Sequence, residues 1–284
     1  MATTMTTTAA TTTCRLSRLV ATNTPNTPRQ PKHGAAKHSI AKYIQSTKPK
    51  VLLIDLDGVI LKHNASLGAV KTSAEKMVAK IFNLSVDDPR SVEINRYLYQ
   101  NFGHTLIGLK KVAGMDLTID QFNNMVYTDD LLLTVNNLLT EDPPVPTVIR
   151  SIETRSLVNR CKREGIDYHV FTNSSMKWCD TVLNALNIRD VFPDHKIISS
   201  DHDVMHRDKC LKPCPKIYER IEAELFEGAD ISFVDDSITN LVNAPSNWNL
   251  FHMDIDFGTP ISISSVTDGK RIHRISSLNK VQFD

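Results

Sequence analysis

The chain has 284 residues, 41% hydrophobic and 23% charged, a composition ordinary for a soluble globular protein and long enough for one large domain or a core with a smaller companion. A formal net charge of +1 gives the core no general footing for stable nucleic-acid binding, and no uninterrupted apolar run approaches the roughly 18 residues needed to span a bilayer. The five cysteines, Cys14, Cys161, Cys179, Cys210 and Cys214, are odd in number and form no C-x-x-C pair, which suits a reducing compartment better than a disulfide scaffold.

Residues 1–49 contain no Asp or Glu, carry scattered Arg and Lys, and are rich in Thr, Ala and Pro. Such a segment cannot bury enough apolar surface to order itself, so it is expected to be a disordered basic tail. Two readings remain open: an organelle transit peptide, which would place the protein in a chloroplast or mitochondrion, or a plain basic tail on a cytoplasmic protein.

Val51-Leu52-Leu53-Ile54 then reads as a buried strand that delivers Asp55-Leu56-Asp57-Gly58-Val59 at its C-terminal end. Side chains alternate along a strand, so continued extension would put Asp55 and Asp57 on one face. From His63 to Pro146 the pattern is helical and lacks convincing strands. Ala74, Met77, Val78 and Ile81 mark one helix face, with the helix starting near Lys71. Asp88-Pro89 opens a second helix running to Tyr99. Asn101 to Gly114, with three glycines, looks like a bent connection, and a further helix holds Phe122, Met125 and Val126. The stretch 63–146 is therefore expected to be an all-helical insert, closed by the proline-rich run Asp142-Pro143-Pro144-Val145-Pro146.

Beyond Thr147 helices and strands alternate. Val148 to Cys161 forms a helix ending near Gly165. Tyr168 to Thr172 is a strand that runs into Asn173-Ser174-Ser175, followed by a helix from Trp178 to Leu186. His195 to Ser199 is a short strand. Lys212-Pro213 opens a helix through Ile217, Ile221 and Leu225. Ile231 to Val234 is a strand ending in Asp235-Asp236-Ser237, and Asn249 to Met253 is another. Residues 255–284 form a C-terminal extension whose Ile261 and Ile263 alternate with Ser, compatible with a hairpin. Strands separated by helices imply right-handed crossovers and a parallel sheet, with ligands beyond its carboxyl ends. The expectation is an α/β core over 50–62 and 147–254, a Rossmann-like parallel sheet flanked by helices. Asp55, Thr172 and Asp235, far apart in sequence, should meet at one edge of that sheet.

Together these residues suit phosphoryl transfer. Asp55, anionic without an activating base, is expected to be the nucleophile; Asp57 would protonate the leaving oxygen and later deprotonate water. Thr172 would offer its hydroxyl and Asn173 its backbone N–H to the phosphate oxygens, and Lys212 would balance the negative charge. Asp55, Asp235 and Asp236, with the backbone carbonyl of Asp57, would supply an oxygen shell for Mg²⁺. Cys210 and Cys214 bracket Lys212, but no second Cys or His pair completes a zinc site.

These signatures, Asp55-Leu56-Asp57-Gly58-Val59, Phe171-Thr172-Asn173, Lys212-Pro213 and Phe233-Val234-Asp235-Asp236-Ser237, resemble those of the haloacid dehalogenase-like phosphohydrolase superfamily over roughly residues 50–250. The resemblance implies a helical cap inserted after the first strand, the residue roles just given, and Leu56 and Gly58 beside Thr172, Asn173 and Lys212 in the substrate pocket. Asp57 resembles the phosphatases of the family rather than its dehalogenases. Tyr97 to Leu109, with Ile119-Asp120 and Phe122, is similar to the cap of the pyrimidine 5′-nucleotidase group, which implies a small phosphorylated metabolite, a nucleoside monophosphate such as UMP or CMP, as substrate. Gly58-Val59 instead resembles the sugar-phosphate and phosphoglycolate branches. A non-catalytic binding protein on the same fold is the third reading. Oligomeric state is not legible.

Overall fold

A computed structural model describes residues 48–62, 64–141, 143–206, 210–254, 264–267 and 269–283. The expected tail (residues 1–49, apart from 48 and 49) and Ile261 and Ile263 lie outside the described residues.

β1 (Lys50–Ile54) is followed by a run of helices: α1 (Ala65–Ile81), α2 (Pro89–Phe102), α3 (Thr105–Ala113), α4 (Ile119–Val126) and α5 (Asp129–Thr140). The chain then returns through α6 (Val145–Glu164), β2 (Asp167–Phe171), α7 (Met176–Ala185), β3 (Ile197–Ile198), α8 (Asp203–His206), α9 (Pro215–Leu225), β4 (Asp230–Asp235), α10 (Ile238–Asn243) and β5 (Asn249–Met253), ending in β6 (Ser264–Thr267) and β7 (Lys270–Ile275). One seven-stranded sheet has the order β3-β2-β1-β4-β5-β7-β6. All neighbours are parallel except β6 and β7. This is the Rossmann-like core with a helical insert expected from the alternation of elements.

The sheet is ordered around its most apolar strand. Val51, Leu52, Leu53 and Ile54 are buried, and β1 pairs with β2 on one side and β4 on the other. Covering both faces of a strand requires apolar side chains at every position, which is why this segment shows no polar alternation. Each such side chain removed from water contributes about 1.5–3 kcal/mol. Ile54 pairs with Val170 and with Val234, so the three strands end in register and the residues that follow them gather at one edge. Phe171, Tyr218, Phe233 and Trp248 pack as an aromatic cluster beneath that edge, with ring centroids 5.5–6.1 Å apart in their closest pairs.

Several local expectations are corrected. α1 begins at Ala65 rather than near Lys71, because the Asn64 side chain accepts the Ser66 and Leu67 N–H groups at 2.9 and 3.3 Å and caps the helix there. The glycine-bearing stretch expected to be a bent connection contains helix α3, bounded by Gly103 and Gly114 at positive φ (73° and 63°). Gly108 sits inside that helix because α2 crosses it closely: a Cβ there would lie 2.8 Å from Leu98. The strand expected over His195–Ser199 is only two residues long, since Asp194–Lys196 forms a 3₁₀ turn. Lys212-Pro213 does not open a helix; α9 starts at Pro215, and Lys212 stays in the preceding loop. The C-terminal extension has a definite role: β7 joins β5 in parallel, and β6 folds back antiparallel on β7 to form the sheet edge.

The cysteines also depart from the expectation of free thiols. Cys210 and Cys214 are joined as a disulfide, because the loop between them turns back far enough to bring their Cα atoms within 6.2 Å. Cys161 and Cys179 are buried and free. Among the described residues no helix is long and apolar enough to cross a membrane.

The cap of α3 carries a pH dependence. His104 Nδ1 accepts the Leu106 N–H at 3.2 Å, and its ring lies 5.1 Å from that of Phe122. Burial pushes this imidazole down to about 4. An unfolded histidine takes up its proton near pH 6.5, so the stability tied to the neutral ring is complete above that pH and is lost as pH falls toward 4. His104→Asn keeps a capping acceptor without titrating, and is expected to remove about 1–3 kcal/mol of the acid-dependent stability loss. Urea midpoints of the two proteins measured from neutral pH down to pH 4 check this; parallel pH profiles would refute it.

Candidate active site

The site is built where β1, β2 and β4 stop. Asp55 continues β1 by one more ladder contact, donating its N–H to Val234 O at 2.9 Å. A tight loop follows, in which Gly58 N–H donates to Leu61 O and Leu61 N–H to Leu56 O, both at 2.7 Å. Asp55 is thereby fixed at the sheet edge, and Leu56 is turned inward and buried, with its N–H on Asp55 Oδ1 at 2.8 Å.

Lys212 joins the three strand tips. Its Nζ lies 3.0 Å from Asp55 Oδ1, 2.8 Å from Asp235 Oδ2 and 2.9 Å from Phe171 O, with the side chain 1% exposed. All three of its ammonium protons are therefore matched to acceptors on different strands. Asn173 holds the lysine's own backbone by two bonds, accepting the Lys212 N–H at 2.9 Å and donating to Lys212 O at 2.8 Å. Asp235 is further fixed by the Ser237 N–H at 2.8 Å and by the Asn240 amide at 3.0 Å from each of its oxygens.

Asp55, Asp235 and Asp236 each offer a carboxylate oxygen within 4.8 Å of the others, which makes them a cluster able to hold a cation. The Asp57 carboxylate is not part of that cluster; its two oxygens are taken by Trp178 Nε1 at 2.8 Å and Ser174 Oγ at 2.5 Å. The metal role expected of Asp57 from the sequence therefore rests on its backbone carbonyl and not on this carboxylate. Ser174 Oγ in turn accepts the Tyr127 hydroxyl at 3.0 Å. Thr172 is buried and its hydroxyl oxygen accepts the Ser174 N–H at 3.1 Å, while the cap of α7 is supplied by Ser175. The sequence places Thr172, Asn173, Lys212 and the aspartates correctly at one edge. It misses Trp178, Ser174 and Tyr127 as partners of Asp57, and no local pattern carries that information, because the contacts join segments far apart in the chain.

The electrostatics follow from burial. Burial pushes the Asp55 carboxyl well up; Lys212 opposes this, while Asp235, Asp236 and Asp57 add to it. Asp235 is raised for the same reason, again opposed by Lys212. Burial would pull the Lys212 ammonium down, but Asp235 and Asp55 outweigh it and hold it above its usual value. Asp57 is raised by burial against the Ser174 and Trp178 hydrogen bonds. Four carboxylates thus face a single ammonium, an excess of negative charge that hard oxygen donors relieve by binding a divalent cation such as Mg²⁺.

Gly58 has φ +84°, and a Cβ there would sit 2.0 Å from Asp236 Oδ2. A side chain at this position must displace the carboxylate as well as strain the backbone. Gly58→Ala is therefore expected to weaken Mg²⁺ binding about tenfold or more, the scale seen when metal-orienting groups are lost. Calorimetric titration with Mg²⁺ checks this, and an affinity equal to that of the unaltered protein would refute it.

Comparison with known proteins agrees with this architecture. The family model described as haloacid dehalogenase-like hydrolase matches residues 49–242. No curated protein matches the chain in sequence. Among solved structures, a family IA, variant 3 hydrolase from Entamoeba histolytica is similar at 14% identity and a TM-score of 0.50, over 82% of this chain and 95% of that one. A phosphatase from Thermococcus onnurineus shares 18% identity at a TM-score of 0.46, covering 81% of this chain and 95% of its own. L-2-haloacid dehalogenase from Xanthobacter autotrophicus shares 15% at 0.41, covering 72% and 77%. With the family model spanning most of the sequence, and the strand-end aspartates and buried lysine meeting inside the matched region, the chain belongs to the haloacid dehalogenase-like hydrolases.

Proposed function

We propose that this hydrolase is a Mg²⁺-dependent phosphomonoesterase that works through an aspartyl-phosphate on Asp55. The observation that carries the reading is the buried Lys212 ammonium held between Asp55 and Asp235 at 3.0 and 2.8 Å, beside a three-carboxylate cluster. A carboxylate pinned in this way is oriented and adjacent to the positive charge that an incoming phosphate needs, and a cation bound at the cluster would favour its anionic form.

In the first step an Asp55 oxygen forms a bond to phosphorus while the bond to the leaving oxygen breaks, and Asp57 gives its proton to that oxygen. Water then attacks phosphorus, Asp57 takes up its proton, and inorganic phosphate leaves with Asp55 restored. The Thr172 hydroxyl and backbone N–H groups of the β1 and β2 loops would hold the phosphoryl oxygens, while the Lys212 ammonium would balance their charge. Asp55, Asp235, Asp236 and the Asp57 carbonyl would hold Mg²⁺. The cation supplies charge neutralisation for the phosphate when bound.

The proposed substrate is a pyrimidine nucleoside 5′-monophosphate. Helix α2 supports this reading, for its C-terminal Gly103 abuts the ring of Pro213, next to Lys212: a Cβ on Gly103 would lie 2.5 Å from Pro213 Cδ. One turn earlier Tyr99 is 58% exposed, so its ring offers a face on which a base could stack. A second reading, a sugar-phosphate or phosphoglycolate phosphatase, is favoured by Gly58-Val59.

Asp55→Asn is expected to lower turnover of p-nitrophenyl phosphate roughly a thousandfold or more while circular dichroism stays unchanged. Near-normal turnover in that variant would remove Asp55 from the nucleophile role. Chelation with EDTA is expected to abolish hydrolysis and added Mg²⁺ to restore it; activity that persists in EDTA would refute the metal dependence. A panel of nucleotides, sugar phosphates and phosphoglycolate decides between the two substrate readings by kcat/KM.

A further inference from the structure

The acid–base carboxylate sits on a short turn whose backbone is fixed, but its side chain has two free torsions. Unrestrained, it would spend little time aimed at a leaving oxygen. Here both oxygens are held. Trp178, on the first turn of α7 and fully buried, donates Nε1–H to Asp57 Oδ1 at 2.8 Å. Ser174 donates its hydroxyl to Oδ2 at 2.5 Å. A serine hydroxyl has one proton, and because Ser174 Oγ already accepts the Tyr127 hydroxyl at 3.0 Å, that proton is directed to Asp57.

Tyr127 lies at the C-terminal end of α4, in the helical insert, and its ring centroid is 5.7 Å from that of Trp178. The insert therefore reaches the acid–base group indirectly, through one hydroxyl on Ser174 and one tilted ring against Trp178. A buried indole N–H needs some acceptor, and a backbone carbonyl would serve packing equally well. That it meets a desolvated carboxylate, which the proposed reaction uses, assigns it more than a packing role.

We propose that Trp178 and Ser174, the latter oriented by Tyr127, are positioning residues that aim the Asp57 carboxyl at the leaving-group oxygen and make its aim depend on the helical insert. This rests on the phosphatase reading. Loss of either donor misdirects proton delivery, so it harms poor leaving groups more than good ones. A purely structural role would slow all substrates alike.

The test compares kcat/KM, which reports the steps up to departure of the alcohol, for phenyl phosphate and p-nitrophenyl phosphate, two substrates of similar size whose phenolates differ in their need for a proton. In Trp178→Phe and in Ser174→Ala the ratio of phenyl to p-nitrophenyl kcat/KM is expected to fall about fivefold or more, with a smaller fall in Tyr127→Phe. Ser174→Thr, which keeps a hydroxyl, is expected to restore the ratio. Ser174→Ala removes one atom and serves if the tryptophan variant does not fold. An unchanged ratio in Ser174→Ala and in folded Trp178→Phe, with the unaltered protein active, overturns the positioning role alone. An unaltered protein that hydrolyses neither substrate with Mg²⁺ overturns the phosphatase reading and this role with it.

Discussion

A single ammonium holds this structure's functional edge together. Lys212 is taken out of water, and its three protons meet acceptors on β1, β2 and β4. Without it, Asp55 and Asp235 would face each other in a low-dielectric interior with no counter-charge, a situation that typically costs about 3–5 kcal/mol when one partner of a buried pair is removed. The lysine is thus both a clasp between strands and the positive charge of the proposed chemistry. Its approach is dictated by Asn173, which fixes the backbone on both sides of the residue, and by Phe171 and Phe233, whose rings lie 4.9 and 5.4 Å from Nζ.

The helical insert is fastened to the core by polar contacts around the same edge. Asn123 donates to Ser200 and Asp201 at 2.9 and 3.1 Å, Asn64 to Thr147 at 3.2 Å, and Tyr127 to Ser174. These bonds join α4 and the start of α1 to the loops after β2 and β3 and to α6. That seam is not polar alone: α5 packs on α7 and side chains of insert and core share one apolar cluster, so these bonds orient an interface that apolar burial also holds. The carboxylate of Asp57, the proposed acid–base group, is the point where that seam meets the strand-end cluster, which ties its proposed aim to the position of the insert.

The legible parts of the sequence were those governed by local pattern. Short, mostly apolar runs marked β1, β2 and β4 as buried strands, only β1 being apolar at every position from Val51 to Ile54, and the acidic or hydroxyl residues closing each run marked their tips. Parallel pairing then brought Asp55, Thr172 and Asp235 to one edge. Local pattern misled where tertiary packing overrode it. Glycine at three places in 101–114 reads as a bend, yet Gly108 is a helical residue chosen for the approach of Leu98. Lys212-Pro213 reads as a helix start, yet the helix begins only at Pro215. Cys210 and Cys214 carry no recognisable spacing, and only the path of the loop pairs them.

The sequence by itself determined the class of fold, the order of its strands in the chain and the residue types at their tips, because burial on both faces of a strand leaves its mark on adjacent positions. The tertiary structure alone decided that the C-terminal segment completes the sheet, that Lys212 bridges Asp55 to Asp235, and that Trp178, Ser174 and Tyr127 hold Asp57. Each of these depends on distances between residues remote in the chain, set by how the insert and the loops pack, and hydrogen bonds a few tenths of an ångström from failure leave no periodic trace in the amino-acid order.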